Sequence, residues 1–98
     1  MNRVELEGAV ASRPVVRKTP AGTPVAAFRL RVEADDRDPA LPGCEVAVVV
    51  MGEAAENAGL EQGMRVAIVG ALAERRWQGP GGVRQSRLEI LARELRLL

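Results

Sequence analysis

The apolar side chains of this chain recur at every second position in several separate runs, and this period constrains its fold more than any other feature. In the first run, Val4, Leu6, Gly8 and Val10 alternate with mainly charged residues. Successive side chains of a β-strand point to opposite sides of the sheet, so a two-residue period is typical of a strand with one buried face. The chain is therefore predicted to be all-β, and its first strand covers this run.

Four later segments are also predicted to be strands. They are Val25 to Glu33 (with Arg29 and Arg31 on its outward face), the strongly apolar Cys44 to Met51, Met64 to Leu72, and Arg84 to Leu98. The last is ambiguous, because its leucines also fit a helical stripe. We interpret it as a strand, since the Gly-Pro-Gly-Gly loop at 79–82 and the run before it indicate a long hairpin. Its apolar doublets, Ile90-Leu91 and Leu97-Leu98, then require a bulge or a bend.

The connecting segments complete the predicted order of elements. Glu53 to Leu60 favours a short helix that is ended by the Gln62-Gly63 step. The prolines and clustered acids of Asp35 to Gly43 predict a surface loop. Five strands with one short helix between the third and fourth is the order of the oligonucleotide-binding (OB) fold. We therefore predict a five-stranded OB-fold barrel, formed by a single domain over residues 1–98.

Composition argues against several classes of function. No apolar run approaches the ~20 residues needed to span a bilayer, and the first residues lack the apolar stretch of a secretory signal, so we expect a cytoplasmic protein. The chain has no His and a single cysteine, Cys44, so it lacks the usual metal site and nucleophile–base pair. We expect no enzyme activity, cofactor or metal. The acidic group from Asp35 to Asp38 could bind a divalent ion, although a solvated loop is the more common role of such a group.

The formal net charge of +1 conceals two stretches without any Asp or Glu. They run from Gly8 to Val32 and from Arg75 to Leu88, and all 13 acidic residues lie outside them. Nine of the 14 basic residues lie inside: Arg13, Arg17, Lys18, Arg29, Arg31, Arg75, Arg76, Arg84 and Arg87. The molecule is therefore expected to have a basic face that attracts a polyanion.

The two basic stretches coincide with the predicted ligand-binding surface. In OB-folds the ligand face lies on strands two and three and is framed by the one–two and four–five loops, which are the parts that the stretches cover. The predicted DNA-binding residues are Arg17, Lys18, Arg29, Arg31, Arg75, Arg76, Trp77, Arg84 and Arg87. Trp77, placed in the four–five loop, could stack on a base or could pack on the base of the hairpin. Phe28 lies on the same face of its predicted strand as Leu30 and Val32, so it is expected in the core.

Three segments also carry a family resemblance: Asn2 to Gly8, Arg17 to Phe28, and Leu60 to Gly70. They resemble the bacterial single-stranded DNA-binding proteins, and this resemblance extends over nearly the whole chain. Within that superfamily the chain is most similar to the primosomal replication protein N (PriB) family, because it ends directly after the predicted fifth strand. General single-strand binders continue there into a Gly-rich linker and an acidic tip. The resemblance implies a homodimer that binds single-stranded DNA and helps to load the replication restart machinery, contacting the PriA helicase and the DnaT protein.

The resemblance also assigns individual positions. Arg75 and Arg76 stand where the family places basic DNA contacts at the start of the four–five hairpin, Arg87 stands on its far strand, and Arg17 lies beside the first-hairpin turn. The relatives carry stacking aromatic residues near the start of strand three, whereas residues 35–50 here contain none. Two alternatives stay open. The low aromatic content favours a protein-interaction adaptor whose DNA binding is weak, and the other alternative is a general single-strand binder without the acidic tail.

Overall fold

A computed structural model describes residues 1–34, 37–38, 40–57 and 59–98. Its elements are β1 (Val4–Val10), β2 (Val15–Lys18), β3 (Pro24–Val32), β4 (Cys44–Met51), α1 (Glu53–Asn57), β5 (Arg65–Gln78) and β6 (Arg84–Leu97). A single 3-10 turn over Pro80–Gly82 joins β5 to β6. The all-β class is confirmed, and the C-terminal segment is a strand rather than a helix.

The strand pairings form a closed ring. β1 pairs antiparallel with β5, β5 with β6, β6 runs parallel to β4, and β4 pairs antiparallel with β3. β3 then pairs with the end of β1 through Ala9 and Val10, and with all of β2. This order of strands, with the helix between β4 and β5, is that of the OB-fold. The predicted fold is therefore confirmed.

The first strand has the predicted bounds, and a second, short strand that was not predicted, β2, follows β1 along the chain. The four residues between them contain Pro14, which has no backbone N–H to donate to the ladder. The pairing with β3 is maintained at this point by Ser12, whose Oγ accepts a hydrogen bond from the backbone N–H of Arg29 at 2.9 Å. β1 and β2 thus act as the two halves of one bent strand along β3.

Two predicted boundaries were wrong. The helix ends at Asn57 instead of Leu60, and Gly59 has a φ of 57°, in the left-handed region where a helix cannot continue. The strand predicted to end at Leu72 continues to Gln78. Trp77, predicted in a loop, therefore lies in β5, within a ladder that runs from Val66 opposite Leu97 to Gln78 opposite Arg84.

The predicted irregularity in the last strand is a bulge at Arg93. Val69 pairs with Glu94 whereas Gly70 pairs with Ala92, so Arg93 is the extra residue. Glycine is required at position 70, since a Cβ there would overlap the backbone carbonyl of Leu91. The bulge lies where the pairing of β5 with β1 ends, at Gly70.

The core fills the ring with aliphatic side chains and Phe28. Its most buried large residues are Val10, Phe28, Leu30, Val48, Val50, Val66, Ile68 and Ile90, and Ala55 of α1 packs against them. The core position of Phe28 is confirmed. Asp35, Asp36 and Pro39 of the acidic loop lie outside the described residues. Within the described part of the chain, no helix is long and apolar enough to cross a membrane.

Candidate nucleic-acid interface

The face of the sheet that points away from the core carries most of the predicted site residues. In β3 the buried Phe28 and Leu30 alternate with Arg29 and Arg31, which are exposed. In β5 the buried residues have even numbers up to Gly70, so Arg75 and Trp77 have the opposite parity. We call this the outer face. Arg17, Arg29, Arg31, Arg75, Trp77 and Arg87 belong to it by strand parity and register.

The β5–β6 hairpin brings two arginines directly together on the outer face. Arg75 stands opposite Arg87 in the ladder, and Trp77 follows two residues later, opposite Gln85. These three residues line an open cleft of about 350 Å³, the arginine cleft. The side chain of Trp77 is accessible in it, since 42% of the residue is exposed. Like charges placed directly across a ladder destabilise it, so an anion between the two guanidinium groups would relieve their repulsion.

The opposite side of the same hairpin is arranged differently. Arg76 stands opposite Ser86, and its Nε donates a hydrogen bond to Oε1 of Glu74 at 2.9 Å. This hydrogen bond lowers the pKa of Glu74 and raises the pKa of Arg76. Arg84 and Leu88 lie on the same side of the hairpin as Arg76, and Leu88 is 58% exposed. Arg76 and Arg84 therefore lie across the ladder from Arg75 and Arg87, and they line a second cleft of about 490 Å³ that also includes Trp77.

An unbroken row of aliphatic residues crosses the outer face beside the cleft. Each member is the register partner of the next on the neighbouring strand: Ala71 of β5, Leu91 of β6, Val49 of β4, Ala27 of β3 and Val15 of β2. Five strands at the usual spacing make this aliphatic row about 19 Å long. It offers an apolar surface without a stacking ring.

Acidic residues from outside the basic stretches pair with the arginines of β3. Arg29 donates from Nε to Oε1 of Glu45 at 3.2 Å and from Nη2 to the backbone oxygen of Glu45 at 3.3 Å. The Nε of Arg31 lies 3.8 Å from Oε1 of Glu33. The side chains in both pairs are largely exposed, where an ion pair contributes only ~0–1 kcal/mol. The pairs nevertheless reduce the positive potential over β3.

The first hairpin divides its two basic residues between opposite sides. Arg17 stands opposite Val25 and belongs to the outer face, whereas Lys18 stands opposite Pro24 and has the other parity. Both are exposed. Within the described ranges, Arg17, Lys18, Arg75 and Arg84 form no ion pair with a carboxylate.

One charged residue of the outer face was missed by the sequence analysis. Glu89 is 7% exposed and is the one buried charged residue in the described part of the chain. It lies between two small register partners, Ala73 of β5 and Ala47 of β4. Its Oε2 accepts a hydrogen bond from Nη2 of Arg87 at 3.5 Å. Glu89 alternates with the apolar residues Leu88 and Ile90 in the sequence, which indicated the outer face of the strand. The parallel pairing with β4 that buries it cannot be recognised in the sequence.

Among the described residues, no group of three or more His, Cys, Asp or Glu side chains could hold a metal ion. Cys44 is exposed at the start of β4 and is free. The arrangement can therefore bind an anionic, partly apolar polymer: guanidinium groups at the arginine cleft and at Arg17 flank the aliphatic row.

Comparison with known proteins agrees with this geometry. The model of the single-strand binding protein family matches residues 1–98, the whole length of the chain. No curated protein matches the chain.

Proposed function

This chain belongs to the single-strand binding protein family, and from that premise we propose that it binds single-stranded DNA across its outer face without reading a defined sequence. The phosphates contact Arg75, Arg87 and Arg17, and one base stacks on Trp77. The remaining bases lie along the aliphatic row. Arg29 and Arg31 contribute less, because their guanidinium groups are shared with Glu45 and Glu33.

The observation that carries this proposal is the arginine cleft. Two guanidinium groups stand directly opposite each other beside an accessible indole ring. Arginine binds phosphate oxygens in a bidentate manner, and stacking of a base on an aromatic ring contributes ~1–3 kcal/mol. The cleft thus combines both kinds of contact within the span of one nucleotide. Single-stranded DNA is favoured over duplex, because the bases of a duplex are already stacked and paired.

The role of the aliphatic row follows from its chemistry. Valine, leucine and alanine can exclude water from a base, but they lack the ring needed for stacking. We therefore expect affinity to depend mainly on phosphate contacts, with a steep dependence on salt. Log K is expected to fall by ~0.7 per log unit of salt for each phosphate contact.

We further propose that the protein acts in replication restart as a homodimer, in contact with the PriA helicase and the DnaT protein. This part rests on the similarity to the primosomal replication protein N family within the superfamily that the three sequence segments resemble. A dimer is also compatible with the pairing of β1. Among the described residues, residues 4–8 of this strand pair with β5 on one edge and have no strand on the other edge. An unpaired edge can add a strand from a second copy. Sedimentation at micromolar concentration tests this, and a species of only 10.5 kDa would contradict it.

A second candidate function is a protein-interaction adaptor that uses the same fold and binds DNA weakly. The aliphatic row favours it, because an apolar sheet face without aromatic residues suits a protein partner as well as bases. An adaptor would keep its partner when the arginine cleft is removed, whereas a DNA-binding protein would lose its ligand.

The test is fluorescence anisotropy of a labelled single strand of about 30 nucleotides, roughly twice the largest OB-fold site size, at several salt concentrations. The matching duplex is the control. We expect single-strand binding that is much tighter than duplex binding and that weakens steeply with salt. Absence of single-strand binding at low salt would contradict the proposal and favour the adaptor.

A further inference from the structure

A buried carboxylate lies in the outer face beside the arginine cleft. Glu89 is two residues from Arg87 in β6, about 7 Å along the strand. On its own row its neighbours are the methyl side chains of Ala73 and Ala47. The carboxylate therefore lies between two short side chains, and Arg87 joins it to the arginine cleft.

One oxygen of this carboxylate is available to a ligand. Oε2 accepts the hydrogen bond from Arg87 at 3.5 Å, and Oε1 has no hydrogen-bond partner among the described residues. Among the described residues, no side-chain oxygen that lacks a partner is fully buried. Because Oε1 is unpartnered, it must therefore be reached by solvent from the outer face. A carboxylate is expensive to bury with one long ion pair alone, so its position suggests a further hydrogen-bond donor in the complex.

We propose that Glu89 accepts a hydrogen bond from the exocyclic amino group of a base bound beside the arginine cleft. The inference rests on the proposed function, because it assigns a base-selecting residue to the same site. It gives the protein a preference for bases that carry an amino group on the pairing edge, such as cytosine and adenine. Bases with an oxo group at that position, thymine and uracil, are disfavoured.

The selectivity follows from the chemistry of the two partners. An ionised carboxylate can only accept hydrogen bonds, and glutamate accepts from the 4-amino group of cytosine in protein–DNA complexes. The 4-oxo group of uracil presents lone pairs to the same oxygen and is repelled. In single strands the pairing edge is free to be read in this way. The phosphate of the nucleotide stays on the neighbouring arginines, so the base contact adds to the electrostatic binding and does not replace it.

The experiment compares binding of labelled oligo(dC) and oligo(dU) of equal length at one salt concentration and at mildly alkaline pH, where cytosine is not protonated. These polymers differ only on the pairing edge. Glu89→Gln is the test variant, since a glutamine amide can donate to an oxo group as well as accept from an amino group. Glu74→Gln is the matched control, because Glu74 also pairs with an arginine two residues away, but on the opposite side of the hairpin.

We expect the wild type to bind oligo(dC) about tenfold more tightly than oligo(dU), within the range of one good base contact. Glu89→Gln should bring the ratio close to one, and Glu74→Gln should leave it unchanged. Glu89→Asp provides a second variant if Glu89→Gln does not fold: it keeps the charge but withdraws it from the surface, and it should also reduce the ratio.

A wild-type ratio near one, or a ratio that survives both substitutions, would overturn the inference and leave the proposed function intact. Equal tightening of both polymers in Glu89→Gln would also overturn it, since Glu89 would then act only through its negative charge. Binding to neither polymer would contradict the proposed function itself and, with it, this inference.

Discussion

The two sides of the β5–β6 hairpin carry similar residues but present them differently. On the outer face, Arg75 and Arg87 stand opposite each other beside Trp77. On the opposite side, Arg76 is bound to Glu74, next to exposed leucines. Arg75 and Arg76 are adjacent in the sequence, yet one is free to bind an anion and the other is already paired. On each side one arginine is paired with a carboxylate two residues away, Arg87 with Glu89 and Arg76 with Glu74, and the other, Arg75 or Arg84, forms no ion pair among the described residues. The comparison teaches that a carboxylate two positions along the same side of a strand, rather than local charge density, determines which arginines are available.

The largest effect is expected from removing both arginines of the cleft. Arg75→Ala combined with Arg87→Ala should weaken single-strand binding by roughly tenfold per arginine, about 100-fold in total. It should also reduce the slope of log K against log salt by ~1.4, because two phosphate contacts are lost. Anisotropy titrations over a range of salt concentrations measure both quantities.

The matched control is Arg76→Ala combined with Arg84→Ala, which removes the same charge from the opposite side of the hairpin. This variant should keep the salt slope of the wild type and lose less than roughly threefold in affinity. Equal losses in the two double variants would show that only the total charge of the hairpin matters, and the contrast between its sides would be wrong.

A somewhat smaller effect is expected from the indole ring. Trp77→Ala should cost ~1–3 kcal/mol of binding free energy through the loss of one stacked base, with the salt slope unchanged. Trp77 is the only tryptophan of the chain, so quenching of the intrinsic fluorescence by added oligonucleotide reports the contact directly. Leu88→Ala, on the opposite side, is the control. Unquenched fluorescence at saturating DNA would place the base elsewhere.

A modest gain is expected from releasing an arginine of β3. Glu45→Gln breaks the ion pair with Arg29 and removes a negative charge from the outer face, so single-strand affinity should rise roughly two- to threefold. Thermal stability should change little, because both side chains are largely exposed. Isothermal titration with the same oligonucleotide measures the gain. Weaker binding by this variant would mean that the ion pair holds Arg29 in its binding position.

The smallest expected effect is on the pKa of Glu74, which forms the ion pair with Arg76 on the side of the hairpin opposite the arginine cleft. The hydrogen bond from Arg76 lowers the pKa of Glu74 in the folded protein. Its contribution to stability is therefore fully present above the unfolded pKa of a glutamate, about 4.3, and is lost as the pH falls through the lowered folded value. NMR titration of the Glu74 carboxyl should show its pKa rising towards the ordinary value in Arg76→Ala. An unchanged pKa would show that the pair does not persist in solution.

Much of the fold could be predicted because burial imposes a two-residue period on the strands of the ring. Val4 to Val10 follows that period, whereas Cys44 to Met51 was predicted as a strongly apolar run, and the structure gives both strands the predicted bounds. The period fails where the hairpin extends past the core, since nothing there must be buried. The strand extension from Ala73 to Gln78 was therefore missed, and Trp77 was placed in a loop.

The site could be predicted only in part for a related reason. The sequence indicates which residues are basic, but the partners of Arg29 and Arg31 depend on strand register and side-chain reach. Arg75 and Arg76 were grouped because they are adjacent, and only the extension of β5 separates them. Glu89 is buried by a parallel pairing between β4 and β6. Such pairings join distant segments and leave no local pattern.

The most direct test of the central claim compares two adjacent single variants, Arg75→Ala and Arg76→Ala. Binding of one labelled single strand is measured by anisotropy over a series of salt concentrations, together with the thermal midpoint of each variant. We expect Arg75→Ala to lose roughly tenfold in affinity and ~0.7 in salt slope without a loss of stability, because it removes a like-charge contact with Arg87. Arg76→Ala should bind as the wild type does. Equal weakening by the two variants, or a normal salt slope in Arg75→Ala, would contradict the account.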